Sequence, residues 1–254
     1  MSSYVITGAS RGIGLELTKQ LLELPVTQVA KVFALTRSRP SNSLNQLIAD
    51  NSDRLFSVIA SVDNATDLKR AAADVKARLG EHGGLDVLVN NAGITAFSPG
   101  GTRNLTAEQL TQVLNTNVTG VHLVTMAFLP LLEAGKGKKV ISMSSTLGAI
   151  SWAQKFKLSP TPAYKISKAA LNMLNTQYAL DYADAGFTFL LVSPGWLTTD
   201  LGGEGADFPV DVGVQDVIRI ILDSTPAQNG KFLNIHVPGQ EDAWGSYDGK
   251  EISW

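Results

Sequence analysis

Short apolar runs alternate with longer helical patterns along the chain, and this alternation restricts the possible folds more than any other feature. Several of the short runs are nearly continuous in Val, Ile, Leu and Phe, which is typical of strands covered on both faces, as in a parallel sheet. The seven predicted strands are residues 4–9, 29–36, 54–62, 85–92, 138–145, 187–193 and 231–237. The predicted helices are residues 12–24, 65–80, 106–135, 161–186 and 211–224.

This alternation predicts an α/β fold, a single doubly wound Rossmann-type domain over residues 1–254 with a seven-stranded parallel sheet flanked by helices. Three loops are longer than the rest, at 94–105, 146–163 and 197–212. Each follows the carboxyl end of a predicted strand, where sheets of this kind bind their ligands. We therefore expect the functional residues to lie in or beside these loops.

Helix ends are marked by three local signals. Thr106 and Gln109 fit a capping box. Thr66 is a candidate N-cap, and Thr161 with Pro162 resembles an N-cap followed by proline at the first helical position. The last pair would place the start of the fourth predicted helix at residue 162.

Composition excludes several classes of function. The 254 residues carry a net charge of −2 with no Lys/Arg-rich run, so we expect no nucleic-acid partner. No apolar run approaches the roughly 18 residues of a membrane span, and the first strand begins too early for a signal peptide. Cysteine is absent, and His82, His122 and His236 lack metal-ligand spacing. We expect a cytoplasmic protein without a bound metal or a membrane partner.

A glycine-rich turn, "TGASRGIG", follows the first strand and opens the first helix. Gly8 would permit a tight turn, Gly12 would let the backbone approach a pyrophosphate, and Gly14 would let the helix pack close to the sheet. An ordinary βα turn is the alternative, but the strand–turn–helix context favours a dinucleotide. The predicted cofactor-binding residues of this turn are Gly8, Ser10, Arg11, Gly12, Ile13 and Gly14.

The end of the second strand indicates which dinucleotide binds. Sites for NAD usually place an acidic residue there to hold the ribose 2′-hydroxyl, whereas this chain has Arg37. A guanidinium can hold a 2′-phosphate through a bidentate contact, and Arg11 adds a second positive charge. We expect NADP(H), the alternative being that Arg37 is a solvated loop charge.

The order of the motifs resembles the short-chain dehydrogenase/reductase family along essentially the whole chain. The glycine turn is followed by "NNAG" at 90–93, Asn117, "SMSS" ending at Ser145, Tyr164-x-x-x-Lys168, and "PGWLTT" at 194–199. Within the family, the chain looks most similar to sniffer and C-factor type carbonyl reductases and norsolorinic acid ketoreductases.

The resemblance implies roles for individual residues. Tyr164 would donate a proton to the substrate carbonyl, and Lys168 would bind the nicotinamide ribose and lower the pKa of the tyrosine. Ser145, chosen over its neighbour Ser144, would hold the carbonyl oxygen, and Asn117 would bend its helix and hold a water leading to Lys168. The remaining implied cofactor-binding residues are Asp63, Asn91, Gly93, Pro194, Gly195, Leu197 and Thr199. The resemblance also implies a homodimer or homotetramer.

Helical geometry supports the pairing of Tyr164 and Lys168, because residues i and i+4 share one face. A free tyrosine has a pKa of about 10, and a nearby ammonium favours the phenolate. The sequence therefore predicts an NADPH-dependent ketoreductase or carbonyl reductase. The alternatives are an alcohol dehydrogenase that works oxidatively and a non-catalytic NADPH-sensing protein.

The substrate loop departs from the family pattern. Ser145 and Tyr164 are nineteen positions apart, against about a dozen in the family, and the added residues 151–163 are predicted to form a substrate-side loop. Aromatic residues that could line an apolar pocket are Phe97, Trp152, Phe156, Trp196 and Phe208. They would suit a bulky, flat, aromatic or polyketide-like ketone, or some of them pack beneath their own loops.

Overall fold

The computed structural model describes residues 1–81 and 83–254 and contains a seven-stranded, all-parallel sheet in the order β3-β2-β1-β4-β5-β6-β7. The strands are β1 (Ser2–Thr7), β2 (Val29–Thr36), β3 (Leu55–Ile59), β4 (Val87–Asn90), β5 (Lys139–Met143), β6 (Thr188–Ser193) and β7 (Phe232–Asn234). The helices are α1 (Gly12–Glu23), α2 (Asn42–Asp50), α3 (Ala65–Leu79), α4 (Ala107–Leu114), α5 (Gly120–Ala134), α6 (Pro162–Asp181) and α7 (Val210–Asp223). The predicted α/β fold class with a seven-stranded parallel sheet is confirmed.

Two apolar layers cover the faces of the sheet. On β1, Ile6 packs in the layer that includes α1 and α7, whereas Val5 packs in the layer that includes α3, α5 and α6. Successive strand residues point to opposite faces, so burial on both faces requires strands that are apolar at nearly every position. This requirement explains the continuous apolar runs of the sequence.

The strand order reverses between β1 and β4, whose carboxyl ends lie side by side. That is the switch point at which such sheets bind ligands. The glycine turn, the loop after β4 and the loop after β5 therefore reach one edge of the sheet.

Helix α2 was not predicted from the sequence. Its N-cap is Ser41, whose Oγ accepts a hydrogen bond of 3.3 Å from Leu44 N. Only Leu44 is fully buried in its nine residues, so the apolar stripe is too short to identify. The N-cap of α3 was predicted wrongly, because Asn64 Oδ1, and not Thr66, accepts from the backbone at 66 and 67.

The region predicted as one helix over 106–135 is interrupted. A capping box of Thr106 and Gln109 opens α4, as predicted, and a π turn at Asn115–Thr119 joins α4 to α5. By length and composition alone, the segment Ala107–Ala134 could cross a membrane, but half of its most apolar window is buried inside the protein. The apolar side chains of α5 pack on the sheet, which accounts for its hydropathy.

Helix α6 begins where the sequence predicted. Thr161 occupies the N-cap position and Pro162 the first helical position, but the Thr161 side chain caps nothing and lies 3.1 Å from Ser159 Oγ. Tyr164 consequently lies in the first turn of α6. The predicted end at Gly186 is reached through a short 3-10 turn, and Gly186 has a φ of +76°.

Candidate active site

The glycine turn between β1 and α1 leads into the first turn of α1, whose N–H groups have no intrahelical acceptor. Gly8 and Gly12 have φ values of +67° and +55°, which residues other than glycine rarely adopt. Arg11 stands at the N-cap with an extended backbone and gives no side-chain cap. The first N–H groups of α1, from Gly12 onwards, are therefore available at the positive end of the helix dipole, an arrangement that binds phosphate.

Gly14 allows α1 to approach the loop after β4. A Cβ at this position would lie 2.6 Å from Asn91 Nδ2 and closer still to the carbonyl oxygen of Gly8. Asn91 Nδ2 donates to Thr7 O at 2.9 Å, and the backbone N–H of Asn91 donates to Thr7 Oγ1 at 3.0 Å. Thr7 and Asn91 thus fix the loop after β4 beside the turn. Thr7 was not predicted as a site residue.

A loop that we call the strap, residues 197–208, reaches across to the same turn. It follows Pro194, which is buried, and Gly195, whose φ is +87°. The side chain of Thr199 lies beside Gly12, with Cγ2 3.4 Å from where a Cβ would stand. Arg11 Nη1 pairs with Asp200 Oδ2 at 2.5 Å. The glycine turn and the strap together form a cradle that suits a dinucleotide.

Two predicted cofactor contacts lie on exposed loops near this cradle. Arg37 follows β2 and is exposed, and its loop is tied to the glycine turn by a 2.7 Å hydrogen bond from Ser41 Oγ to Ser10 O. Asp63 is exposed and accepts a hydrogen bond of 2.5 Å from Ser61 Oγ. Arg37 and Asp63 remain predicted contacts with the ribose phosphate and the adenine.

Asn117 is fully buried in the π turn. Its Oδ1 accepts from Ile94 N and its Nδ2 donates to Ile94 O, each at 2.9 Å, and Nδ2 also donates to Ser167 Oγ at 3.0 Å. A Cβ at Gly93 would lie 3.4 Å from Asn117 Oδ1 and 3.8 Å from Lys168 Nζ. Gly93 therefore brings the loop after β4 against both side chains. The predicted water between Asn117 and Lys168 stays a prediction.

Lys168 is buried between α6 and the end of β5. Its Nζ donates to Met143 O at 2.7 Å and lies 5.4 Å from the centroid of the Tyr164 ring. Burial lowers the pKa of Lys168 to about 8. Gly148 permits this packing, because a Cβ there would stand 2.6 Å from Lys168 Cβ. The lysine and the tyrosine share one face of α6.

The pKa of Tyr164 is shifted opposite to the direction predicted from Lys168. Burial raises it to about 12, and the nearby hydroxyl of Ser145 opposes the shift as a hydrogen-bond partner. The cause is desolvation, which penalises the phenolate. With the groups of this chain alone, the phenol is therefore protonated at neutral pH.

The two adjacent serines have different environments. Ser144 is buried, and its Oγ donates to Asn172 Oδ1 at 2.6 Å. Ser145 is partly exposed and adjoins Tyr164. Its Oγ accepts from Leu147 N at 3.2 Å, which leaves its own proton free to donate. This geometry favours Ser145 as the functional serine.

The aromatic loop residues do not all face the cleft. Phe156 is buried and packs edge-on against Trp244, with ring centroids 4.6 Å apart. Phe208 packs against Tyr247 at 4.8 Å. Phe97 is 64% exposed and Trp196 is 40% exposed, so both are free to contact a ligand. Trp152 is half-buried.

Two of the three histidines that lack metal-ligand spacing bond side chains away from the glycine turn. His122 Nδ1 bonds the hydroxyl of Tyr178 at 2.7 Å, and His236 Nε2 lies 3.1 Å from Glu241 Oε1. His82 lies outside the described residues. Within residues 1–81 and 83–254, no three His, Asp or Glu side chains come close enough to hold a metal ion.

The parallel sheet, the glycine turn and the adjacent Tyr164 and Lys168 side chains define a Rossmann-type oxidoreductase. The family model described as short chain dehydrogenase matches residues 3–207. The chain belongs to the short-chain dehydrogenase/reductase family, and is an oxidoreductase that uses a nicotinamide cofactor.

Individual relatives agree with this assignment. A short-chain dehydrogenase/reductase of Arthrinium sp is 38% identical over 208 residues, which cover 79% of this chain and 76% of the relative. Among solved structures, an NADPH-bound carbonyl reductase from chicken fatty liver is 32% identical with a TM-score of 0.85, covering 100% and 99% of the two chains. The carbonyl reductase Sniffer of D. melanogaster is 29% identical with a TM-score of 0.86, covering 100% of both.

Proposed function

We propose that the protein is a cytoplasmic, NADPH-dependent carbonyl reductase that converts a ketone to an alcohol. The observation that carries this proposal is the meeting of Asn117, Ser145, Tyr164 and Lys168 at the edge of the sheet that also holds the glycine turn. Gly93 lies against Asn117 and Lys168, so the dinucleotide cradle and the proton-donating group are adjacent.

The residues of the chain fit each requirement of carbonyl reduction. When bound, the nicotinamide cofactor supplies the hydride. Negative charge then develops on the carbonyl oxygen, and the hydroxyls of Ser145 and Tyr164 are donors for that oxygen, in the manner of an oxyanion hole. Tyr164 Oη transfers its proton to the oxygen, and the ammonium of Lys168 stabilises the resulting phenolate.

The protonation state of Tyr164 suits the reductive direction. A phenol whose pKa is raised to about 12 is protonated at neutral pH, and that is the form that donates to a carbonyl. The oxidative reaction would require the phenolate, which burial disfavours. The oxidative alcohol dehydrogenase stays the alternative, because the same phenol, once deprotonated, would accept a proton from an alcohol.

Three observations support NADPH as the cofactor. Arg37 stands at the end of β2, where an acidic residue would repel a 2′-phosphate. Its loop is held to the glycine turn through Ser41 and Ser10. The chicken carbonyl reductase, which this chain resembles over its full length, carries NADPH.

Replacing Arg37 with Asp should shift the preference from NADPH towards NADH. The carboxylate would repel the 2′-phosphate and could accept a hydrogen bond from the ribose 2′-hydroxyl, so we expect the ratio of kcat/KM values for the two cofactors to fall by roughly tenfold or more. Arg103→Asp, which reverses a charge on another loop, is the matched control. An unchanged ratio in Arg37→Asp would show that the phosphate is held elsewhere.

The proposed substrate is a bulky, flat ketone of aromatic or polyketide-like type. Trp196 and Trp244 support this class, because both are partly exposed and their ring centroids lie 6.0 Å apart. Aromatic surfaces of this kind bind flat apolar ligands.

We also propose a homodimer or homotetramer, supported by exposed apolar residues on α5 and α6, namely Met126, Ile166, Met173 and Leu180.

A titration followed by turnover tests the function. Fluorescence titration with NADPH and NADH gives the two dissociation constants, and NADPH consumption is then measured over a panel of aliphatic and aromatic ketones, aldehydes and quinones. The proposal predicts micromolar NADPH binding and turnover that is fastest on flat aromatic ketones. Tight NADPH binding without turnover on any carbonyl would favour the non-catalytic NADPH-sensing protein instead.

A further inference from the structure

The strap is a loop closed at its base. Leu197 forms a bridge with Phe208, and Thr198 N donates to Phe208 O at 2.8 Å. Asp207 N donates to Trp196 O at 3.0 Å. The two ends of the strap are therefore fastened to each other, and the residues between them form its tip.

A single side chain from the C-terminal segment contacts both ends of the strap, where they are hydrogen-bonded to each other. Tyr247 is 2% exposed. Its hydroxyl donates to Asp207 Oδ2 and accepts from Trp196 N at 3.4 Å. Its ring also packs against Phe208. Tyr247 thus contacts the chain where it enters the strap and where it leaves.

The position of the Tyr247 ring is fixed by its surroundings. A Cβ at Gly195 would lie 3.3 Å from Tyr247 Cε1, and Gly245 lies so close to the ring that it could carry no side chain. Val237 N donates to Tyr247 O at 3.0 Å, so the C-terminal segment is bound to the chain that follows β7. Burial and the Asp207 carboxylate raise the pKa of Tyr247, which keeps its proton in place as a donor.

The tip of the strap reaches the glycine turn. Thr199 stands beside Gly12, and Asp200 pairs with Arg11. A movement of the base would therefore move Thr199 and Asp200 relative to the glycine turn. The exposed Arg11–Asp200 pair is itself worth little, so the strap depends on the contacts at its base.

We propose that Tyr247 is a positioning residue that latches the strap over the bound dinucleotide through Asp207 and Trp196. The inference rests on the proposed NADPH binding. Loss of the latch would let the strap open, and the cofactor would leave more quickly.

Removal of the Tyr247 hydroxyl tests the latch. In Tyr247→Phe the ring is kept, and a hydrogen bond to a charged group is lost, so we expect the NADPH dissociation rate to rise by about tenfold. The rate is measured by stopped-flow fluorescence on displacement with excess NADP⁺. Cleavage by a glutamyl endopeptidase after the exposed Glu204, followed by mass spectrometry, should also become faster, with and without NADPH.

Matched variants separate the latch from a general loss of stability. Tyr178→Phe removes a phenol hydroxyl that bonds His122 and should leave both rates unchanged. Asp207→Ala should reproduce the effect of Tyr247→Phe, Asp207→Asn should restore part of it, and the double variant should be no faster than either single variant. If Tyr247→Phe does not fold, Asp207→Ala tests the latch in its place.

Each outcome has a distinct meaning. Measurable NADPH binding with unchanged dissociation and unchanged cleavage at Glu204 in Tyr247→Phe overturns the latch. Additive effects in the double variant overturn it as well, because the two side chains would then act separately. A wild-type protein that binds no NADPH would count against the proposed function, and cleavage of the unliganded chain would still test the latch.

Discussion

Replacing Tyr164 with Phe is expected to lower kcat for carbonyl reduction by about 10³-fold. The substitution removes the hydroxyl proton that Tyr164 is proposed to donate to the carbonyl oxygen, while the ring stays near Lys168 Nζ, which lies 5.4 Å from its centroid. The NADPH dissociation constant should change by less than about threefold, because the glycine turn and the strap are untouched. Steady-state NADPH consumption and fluorescence titration measure the two quantities.

The control for this variant lies on the same helix. Tyr178→Phe removes a hydroxyl that bonds His122, away from the carboxyl edge of the sheet, and should retain nearly full kcat. If Tyr164→Phe also retained activity, the proton would have to come from another group, and the role assigned to the phenol would be wrong. Equal losses in both variants would indicate a defect of the helix.

The strands, and the edge of the sheet at which the functional motifs lie, could be predicted because parallel β/α units obey a simple geometry. Continuous apolar runs are required by burial on both faces, and motifs that follow successive strands must reach one edge of the sheet. Gly8 and Gly12 could be predicted from the strand–turn–helix context, and the structure gives both a left-handed backbone. The resemblance to the family implied Ser145, Tyr164 and Lys168, and the i, i+4 spacing of the last two places them on one helix face.

Other features depend on tertiary contacts that no local pattern records. Helix α2 fully buries one leucine. A single buried position gives no helical periodicity of apolar residues in the sequence. The pKa of Tyr164 was predicted to fall because its charged neighbour could be read from the sequence, whereas its burial could not. Tyr247 and Asp207 are forty positions apart, and nothing in either local sequence indicates that they meet.

The second large effect is expected from Gly14→Ala. The added Cβ would stand 2.6 Å from Asn91 Nδ2 and nearer still to the backbone of Gly8. Neither neighbour can yield cheaply, because Gly8 holds a left-handed turn and Asn91 is bonded to Thr7 O. We expect a loss of about 3 kcal/mol in the free energy of unfolding and a decrease in Tm of roughly 5–10 °C.

Gly205→Ala provides the comparison that isolates this effect. No atom lies within 4 Å of a Cβ at Gly205, so this substitution should leave Tm within about 2 °C of wild type. In Gly14→Ala, α1 can accept the methyl group only by moving away from β4, which would carry the N–H groups of Gly12 and its neighbours away from the pyrophosphate. NADPH affinity should therefore fall together with Tm in Gly14→Ala. Undiminished affinity would mean that the phosphates do not bind at the start of α1, and the cradle described above would have to lie elsewhere.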